Sequence, residues 1–350
     1  MTPTENVRLA EHCTLGVGGP ARFFVEAHDE AAVLAALDWA CARRLPIRVL
    51  GGGSNLVVAD AGVDALVVKI GLRGIDAREA HGVVELTAAA GEPWDSLVER
   101  SVARGWAGFE CLSGIPGLVG ATPMQNVGAY GQDVSETVIL VRALDTLTRR
   151  IMTFENRECR FAYRDSLFRS GEPGRYVVLS VAYRLRPGGS PTLRYADVEK
   201  DLASRGIDRP SLADVRTSVI AIRRAKSMVL DSSDANRRSC GSFFTNPIIP
   251  SAELAAVASR AGDPTMPHWP LPGEQVKLSA AWLIERAGYT RGRAEGPVGL
   301  STRHALAIVA RDGANACDVV AFARRIQTAV VERFGVRLTP EPVFWGVDAP

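Results

Sequence analysis

Three polar residues, far apart in the chain, stand in apolar or turn-forming surroundings where a side chain can do chemistry. Arg164 sits in Tyr163-Arg164-Asp165-Ser166, Ser242 in Cys240-Gly241-Ser242-Phe243-Phe244, and Glu341 between Pro340 and Pro342. A guanidinium fork can grip a carboxylate bidentately. A hydroxyl in an apolar site can give a proton to a carbanion-like centre. A glutamate between two prolines is held on a stiff, extended backbone, which suits a positioned acid. Each also has a plainer reading: an ion pair of Arg164 with Asp165 or Glu158, a serine that satisfies a turn, a surface glutamate. Ser242 does not follow the GxSxG elbow, so a hydrolase nucleophile is not indicated. Cys240 is a rival acid. The five histidines are scattered and the six cysteines show no metal-ligand spacing, so no metal site is expected.

Two glycine-rich segments can hold a ligand. Gly51-Gly52-Gly53-Ser54-Asn55 follows the strand-like IRVL. Glycines let backbone N–H groups approach a phosphate, and Ser54 and Asn55 add donors. The segment matches neither the dinucleotide fingerprint nor the P-loop, and a tight hairpin explains it equally well. The second segment runs through Ser113-Gly114-Ile115-Pro116-Gly117-Leu118-Val119-Gly120-Ala121 and Gln125-Asn126-Val127-Gly128-Ala129-Tyr130-Gly131. Its glycines alternate with apolar residues, which suits a flat aromatic ring met by backbone amides. Irregular loops of this length are uncommon without a function.

The elements that must carry these residues are mixed. GPARFFVEA (19–27) reads as a strand, and 30–44 has apolar residues at helical spacing. IRVL, VDALVVKI, VVELTAAAG, TVILVRALD and RYVVLSVAYRL read as strands, and 95–105 as a helix with Gly105 at its end. RPGGSP (186–191) is a turn cluster and a boundary. Helices are expected at 212–226 and at 315–335, where Val319, Val320, Phe322, Ala323, Ile326, Val330 and Phe334 form one apolar stripe. Strands alternating with few helices indicate α+β rather than a repeating βαβ series.

Composition sets outer limits. The 350 residues are 47% hydrophobic and 23% charged, with a net charge of +2. That is globular composition with no global charge excess pointing to nucleic acid. No window approaches a membrane span, and the N-terminus lacks a signal-peptide pattern. A cytoplasmic protein that does not insert into membranes is expected, with reduced cysteines.

Taken in order, GGGSNLVV, SGIPGLVGATPMQNVGAYG, YRDSLF, GSFFTNP and LTPEPVFWG resemble the UDP-N-acetylenolpyruvoylglucosamine reductase (MurB) family, from about Thr14 to Gly346. The resemblance implies a two-lobed FAD-binding domain of the vanillyl-alcohol-oxidase (PCMH) type plus a C-terminal α+β substrate-binding domain. The expected boundaries are 1–71 and 72–190 for the FAD lobes, 191–335 for the substrate domain and 336–350 for a segment returning to the active site. It further implies NADPH-dependent reduction of the enolpyruvyl C=C of UDP-N-acetylenolpyruvoylglucosamine through FAD. Gly51, Gly52, Gly53, Ser54, Asn55, Ser113, Gly114, Gly117, Gly120, Ala121, Gln125, Asn126, Gly128, Ala129 and Tyr130 would hold FAD. Arg164 would match the substrate-activating arginine, Ser242 the proton donor and Glu341 the second catalytic group. Lys226, Asn246 and Lys277 would contact the UDP-sugar. Tyr195, in RYADV, resembles the tyrosine-bearing loop of the family's first subtype. A monomer is expected. The rival readings are a related FAD-dependent oxidase and a non-catalytic nucleotide-binding module; the latter would be expected to lack one of the three catalytic residues.

Overall fold

The computed structural model describes residues 2–263 and 265–350. The chain folds into two compact units. The first comprises the N-terminal residues through Val7, Ala21–Gly52 and Asp64–Leu230; the second comprises Arg8–Pro20, Gly53–Val63 and Asp231–Pro350.

In the first unit, local signals place the helices as the apolar spacing predicts. Asp29 caps the helix Glu30–Cys41, its carboxylate accepting from Ala32 N at 2.7 Å, and Val33, Ala36, Leu37 and Ala40 form the buried face. The helix ends at Cys41, short of the predicted residue 44. The predicted helix at 95–105 is Trp94–Ala103, and Gly105 leaves it at φ +71°. One sheet has the strand order Thr4–Arg8, Pro20–Ala27, Val63–Ile70, Ile47–Leu50, with the last two parallel. A larger antiparallel sheet runs Ile151–Glu155, Val138–Asp145, Tyr176–Pro187, Val83–Ala89, Ile75–Ala80. Its core includes an aromatic cluster: Trp94, Phe109 and Tyr183 are buried with centroids 5.0 to 6.0 Å apart at tilted and edge-on angles. The Tyr183 hydroxyl shares a 2.9 Å hydrogen bond with Thr122 Oγ1, so no buried polar atom is stranded there.

Residues 191–230, which the sequence groups with the substrate domain, pack within this first unit. Val198 and Leu202 of the helix Ala196–Ser204 and Val215 and Val219 of the helix Leu212–Ala225 bury against Cys111.

The second unit is organised around the helix Ala316–Phe334. Asn315 and Asp318 form its capping box, and Gly335 ends it at φ +72°. The predicted stripe from Val319 to Phe334 is buried in that unit's core. The Asp60 carboxylate accepts from Ala316 N at 2.7 Å and Cys317 N at 3.0 Å, tying the 53–63 excursion to the helix start. Leu56–Val58 pairs in parallel with Val343–Trp345. The Gly51–Asn55 turn is therefore not a hairpin: the strand before it joins a first-unit sheet and the strand after it joins the C-terminal strand.

Candidate active site

Within the first unit Gly51 and Gly52 approach the second glycine segment closely. A Cβ on Gly52 would stand 2.9 Å from Gly117 Cα, so only glycine lets these two backbones approach so closely. A Cβ on Gly51 would meet only Leu118 and Ala121, at 4.0 Å. Gly52 and Ala121 are exposed, and Ile115, Gly117, Leu118 and Met124 are half-buried, leaving apolar surface beside bare backbone. The segment is pinned from behind. Gly117 O accepts from Trp94 N at 3.1 Å, and Asp95 Oδ1 accepts from Gly114 N at 2.6 Å. Asp95 is also gripped bidentately by Arg216, at 2.6 and 3.0 Å. Burial pushes the Asp95 pKa up, but the Arg216 and Gly114 hydrogen bonds outweigh it and hold the carboxyl below its usual range.

Several of the predicted FAD residues serve this framework. Ser113 Oγ donates to Glu110 O at 2.7 Å, and Gly120 lies where a Cβ would strike Ala90 at 2.6 Å. Gly128 and Ala129 pair with Asp133 and Gln132, and Gln125 Oε1 accepts from Arg169 at 2.6 Å. Asn126 spans the loop, donating to Ala162 O at 3.1 Å and accepting from Ser135 N at 3.1 Å.

Arg164 joins this cluster. Its backbone is left-handed at φ +56° and Nη2 donates to Gly128 O at 2.7 Å. Its guanidinium lies over the Tyr163 ring, 5.4 Å from the centroid. The arginine and the glycine segment thus share one corner of the unit, which a separation of 36 positions hides from the sequence.

Tyr130, Tyr195 and Lys226 also come together. Tyr130 and Tyr195 stack edge-to-face at 5.3 Å, and Lys226 Nζ pairs with Asp197 at 3.2 Å. Sequence reasoning missed Arg223, one turn before Lys226. Its side chain is buried, Nη2 donates to Met228 O at 2.6 Å, and Nε has no hydrogen-bond partner among the described residues. Burial lowers its pKa, while burial raises the Tyr130 phenol to about 12 against the opposing pull of Arg223. An arginine inside an amphipathic helix gives no local sign of being buried.

The second unit carries Ser242 and Glu341. Phe243 O accepts from Glu341 N at 2.9 Å, Thr245 N donates to Thr339 O at 3.0 Å, and Phe244 bridges Pro340. This pairing brings Ser242 and Glu341, 99 residues apart in sequence, to one local ladder. Phe243 and Phe244 are buried, and Ser242 and Glu341 are half-buried. Asn55 extends the ladder: Nδ2 donates to Glu341 O at 3.3 Å, and Val343 N donates to Asn55 O at 3.0 Å. Gly53 is required there, since at φ +65° a Cβ would lie 1.9 Å from His12 O. Of the remaining predicted contacts, Asn246 Oδ1 accepts from Ala280 N at 3.0 Å, and Lys277 Nζ lies 5.7 Å from the Trp269 ring centroid. The rival acid Cys240 is buried in the core with its thiol pushed up to about 12, chiefly by burial.

Comparison with known proteins supplies the family. An FAD-binding-domain model matches residues 21–149, and a model of the UDP-N-acetylenolpyruvoylglucosamine reductase C-terminal domain matches 233–345. The Saccharopolyspora erythraea UDP-N-acetylenolpyruvoylglucosamine reductase is 46% identical over 98% of this chain and 95% of its own; the Thermobifida fusca protein is 45% identical over 98% of each. The chain belongs to this family. The crystal structure of the Thermus caldophilus reductase superposes with a TM-score of 0.66 at 25% identity, covering 97% of this chain and 98% of that one. The fold expected of the reductase family, an FAD-binding domain followed by an α+β C-terminal domain, is the fold observed. The chemistry of these residues suits the cofactor. Gly51, Gly52 and Gly117 offer side-chain-free backbone, and Ile115 and Leu118 offer apolar contact, as a flavin nucleotide requires.

Proposed function

We propose that this chain reduces UDP-N-acetylenolpyruvoylglucosamine to UDP-N-acetylmuramate with NADPH through FAD, supplying a peptidoglycan precursor. What carries this reading is identity of 45–46% to reductases of that name over nearly the full length, in a chain that keeps Arg164, Ser242 and Glu341. Bound FAD supplies a two-electron carrier between NADPH and the substrate alkene. The glycine backbone around Gly51, Gly52 and Gly117 would hold it.

The chain's own groups answer the charge and the proton. Hydride addition at the terminal alkene carbon leaves an electron pair on the adjacent carbon, spread into the carboxylate. Arg164, fixed by Gly128 O and its own backbone, would hold that carboxylate. Fixed donors in a water-poor site stabilise developing charge more than water does. Ser242 Oγ would give its proton to the carbon, completing the C–H bond and leaving an alkoxide to be reprotonated from solvent. Glu341, set beside Ser242 by the Phe243 pairing, would be the second acid group. Tyr195 and Lys226 in the first unit, and Asn246 and Lys277 in the second, are assigned to the UDP-sugar. The domain roles follow: the first unit binds FAD, and the second presents the acid groups. We assign a monomer in the cytoplasm, where the six unpaired cysteines would stay reduced.

The test is a split assay. Purified protein should be yellow and should oxidise NADPH only when the enolpyruvyl UDP-sugar is present. S242A should keep FAD reduction by NADPH and slow reoxidation by substrate by about 10²–10⁴-fold. Equal reoxidation rates in S242A and wild type would remove Ser242 from the role. Rapid NADPH oxidation with oxygen alone would favour the oxidase reading, and flavin binding without turnover the module.

A further inference from the structure

Glu110 is fully buried in the first unit, and its carboxylate is well satisfied. Three N–H donors from three segments converge on it. Gly108 N donates to Oε2 at 2.8 Å, while Gln132 Nε2, at 2.8 Å, and Thr192 N, at 2.7 Å, donate to Oε1. Gln132 directly follows the glycine segment, and its Oε1 accepts from Cys111 N at 2.8 Å. Thr192 belongs to the irregular stretch 189–195 that leads to Tyr195. That stretch is tied again by Cys111 Sγ to Thr192 O at 3.3 Å and by Gln132 Nε2 to Thr192 Oγ1 at 2.9 Å. Its outer hold is the exposed Arg194, which pairs with Glu136 and donates to Gly131 O. Exposed ion pairs contribute little, whereas N–H donors to a buried carboxylate are among the stronger protein hydrogen bonds. The buried knot, not the surface pair, therefore sets where this strap lies and where Tyr195 meets Tyr130.

We infer that Glu110 is a positioning residue for the substrate: it clamps the 189–195 strap to the glycine segment and so holds Tyr195 ready for the UDP-sugar. This rests on the assignment of Tyr195 to the substrate.

Amide exchange and kinetics on the FAD-loaded enzyme separate the two claims. In wild type, the Thr192 amide should exchange at least about tenfold more slowly than those of Leu193 and Arg194, as a donor to a buried charged acceptor. In E110Q that protection should fall, and KM for UDP-N-acetylenolpyruvoylglucosamine should rise by about tenfold or more, with kcat and FAD reduction by NADPH close to wild type. An unprotected Thr192 amide in wild type overturns the clamp with no variant needed, which covers failure of E110Q to fold. An unchanged KM in E110Q, or a parallel fall in both half-reactions, overturns the positioning role. If the amide data hold but Y195A leaves KM unchanged, the assignment of Tyr195 to the substrate is what fails.

Discussion

Substituting Gly52 by alanine tests the cofactor site through one contact. The new Cβ would lie 2.9 Å from Gly117 Cα, a backbone atom that cannot swing aside. Carbon atoms rest about 3.5–4.0 Å apart, so the two turns must part by roughly 0.5–1 Å. Overpacking of this kind costs about 1–3 kcal/mol. Gly52 has an ordinary φ, so the penalty comes from this approach rather than from backbone strain. If the flavin needs the turns in their present spacing, that penalty appears in its affinity, which falls by roughly 5–150-fold. The assay is titration of flavin-free protein with FAD, read by quenching of flavin fluorescence. Gly51→Ala is the companion variant: its Cβ has 4.0 Å of clearance, so the flavin-free protein should melt as wild type does, while FAD binding weakens as the methyl enters the proposed cofactor site. Wild-type FAD affinity in both variants would refute the placement of the flavin there. Gly53 would be a poor choice, because a Cβ 1.9 Å from His12 O threatens folding itself.

Three further outcomes follow from burial and electrostatics. Asp95 is held below the ordinary carboxylate range, so its stabilisation is complete above the unfolded pKa of about 3.9 and is lost as pH falls through the lower folded value. Thermal melting across pH 2–7 should show the gap between wild type and D95N narrowing at the acid end; a gap constant with pH would contradict the pairing with Arg216 and Gly114. Alkylation of native protein should label the exposed Cys41 and Cys317 and spare Cys13, Cys111, Cys159 and Cys240, whose thiols burial pushes up to about 12. C240A should retain turnover, and its loss would restore Cys240 as a candidate acid.

The sequence by itself determined what is local or encoded by residue type. The helix Ala316–Phe334 was legible because its stripe repeats at three and four residues, and the strands because their apolar runs are short and bounded by turns. The second glycine segment stood out because irregular loops of its length are uncommon without a function, whereas the first was equally readable as a hairpin. The family was legible because five short motifs keep their order. Only the tertiary structure decided what depends on contacts between distant segments. Asn55, assigned to the cofactor, also hydrogen-bonds the Glu341 backbone, because its turn leads into a strand that pairs with Val343–Trp345. Residues 191–230 follow the first unit because Val198, Leu202, Val215 and Val219 find their apolar partner in Cys111, far back in the chain. Glu110 and Arg223 have no periodic or motif signal at all. A buried charge is defined by the donors and acceptors that converge on it in space, and convergence is a property that linear spacing does not carry.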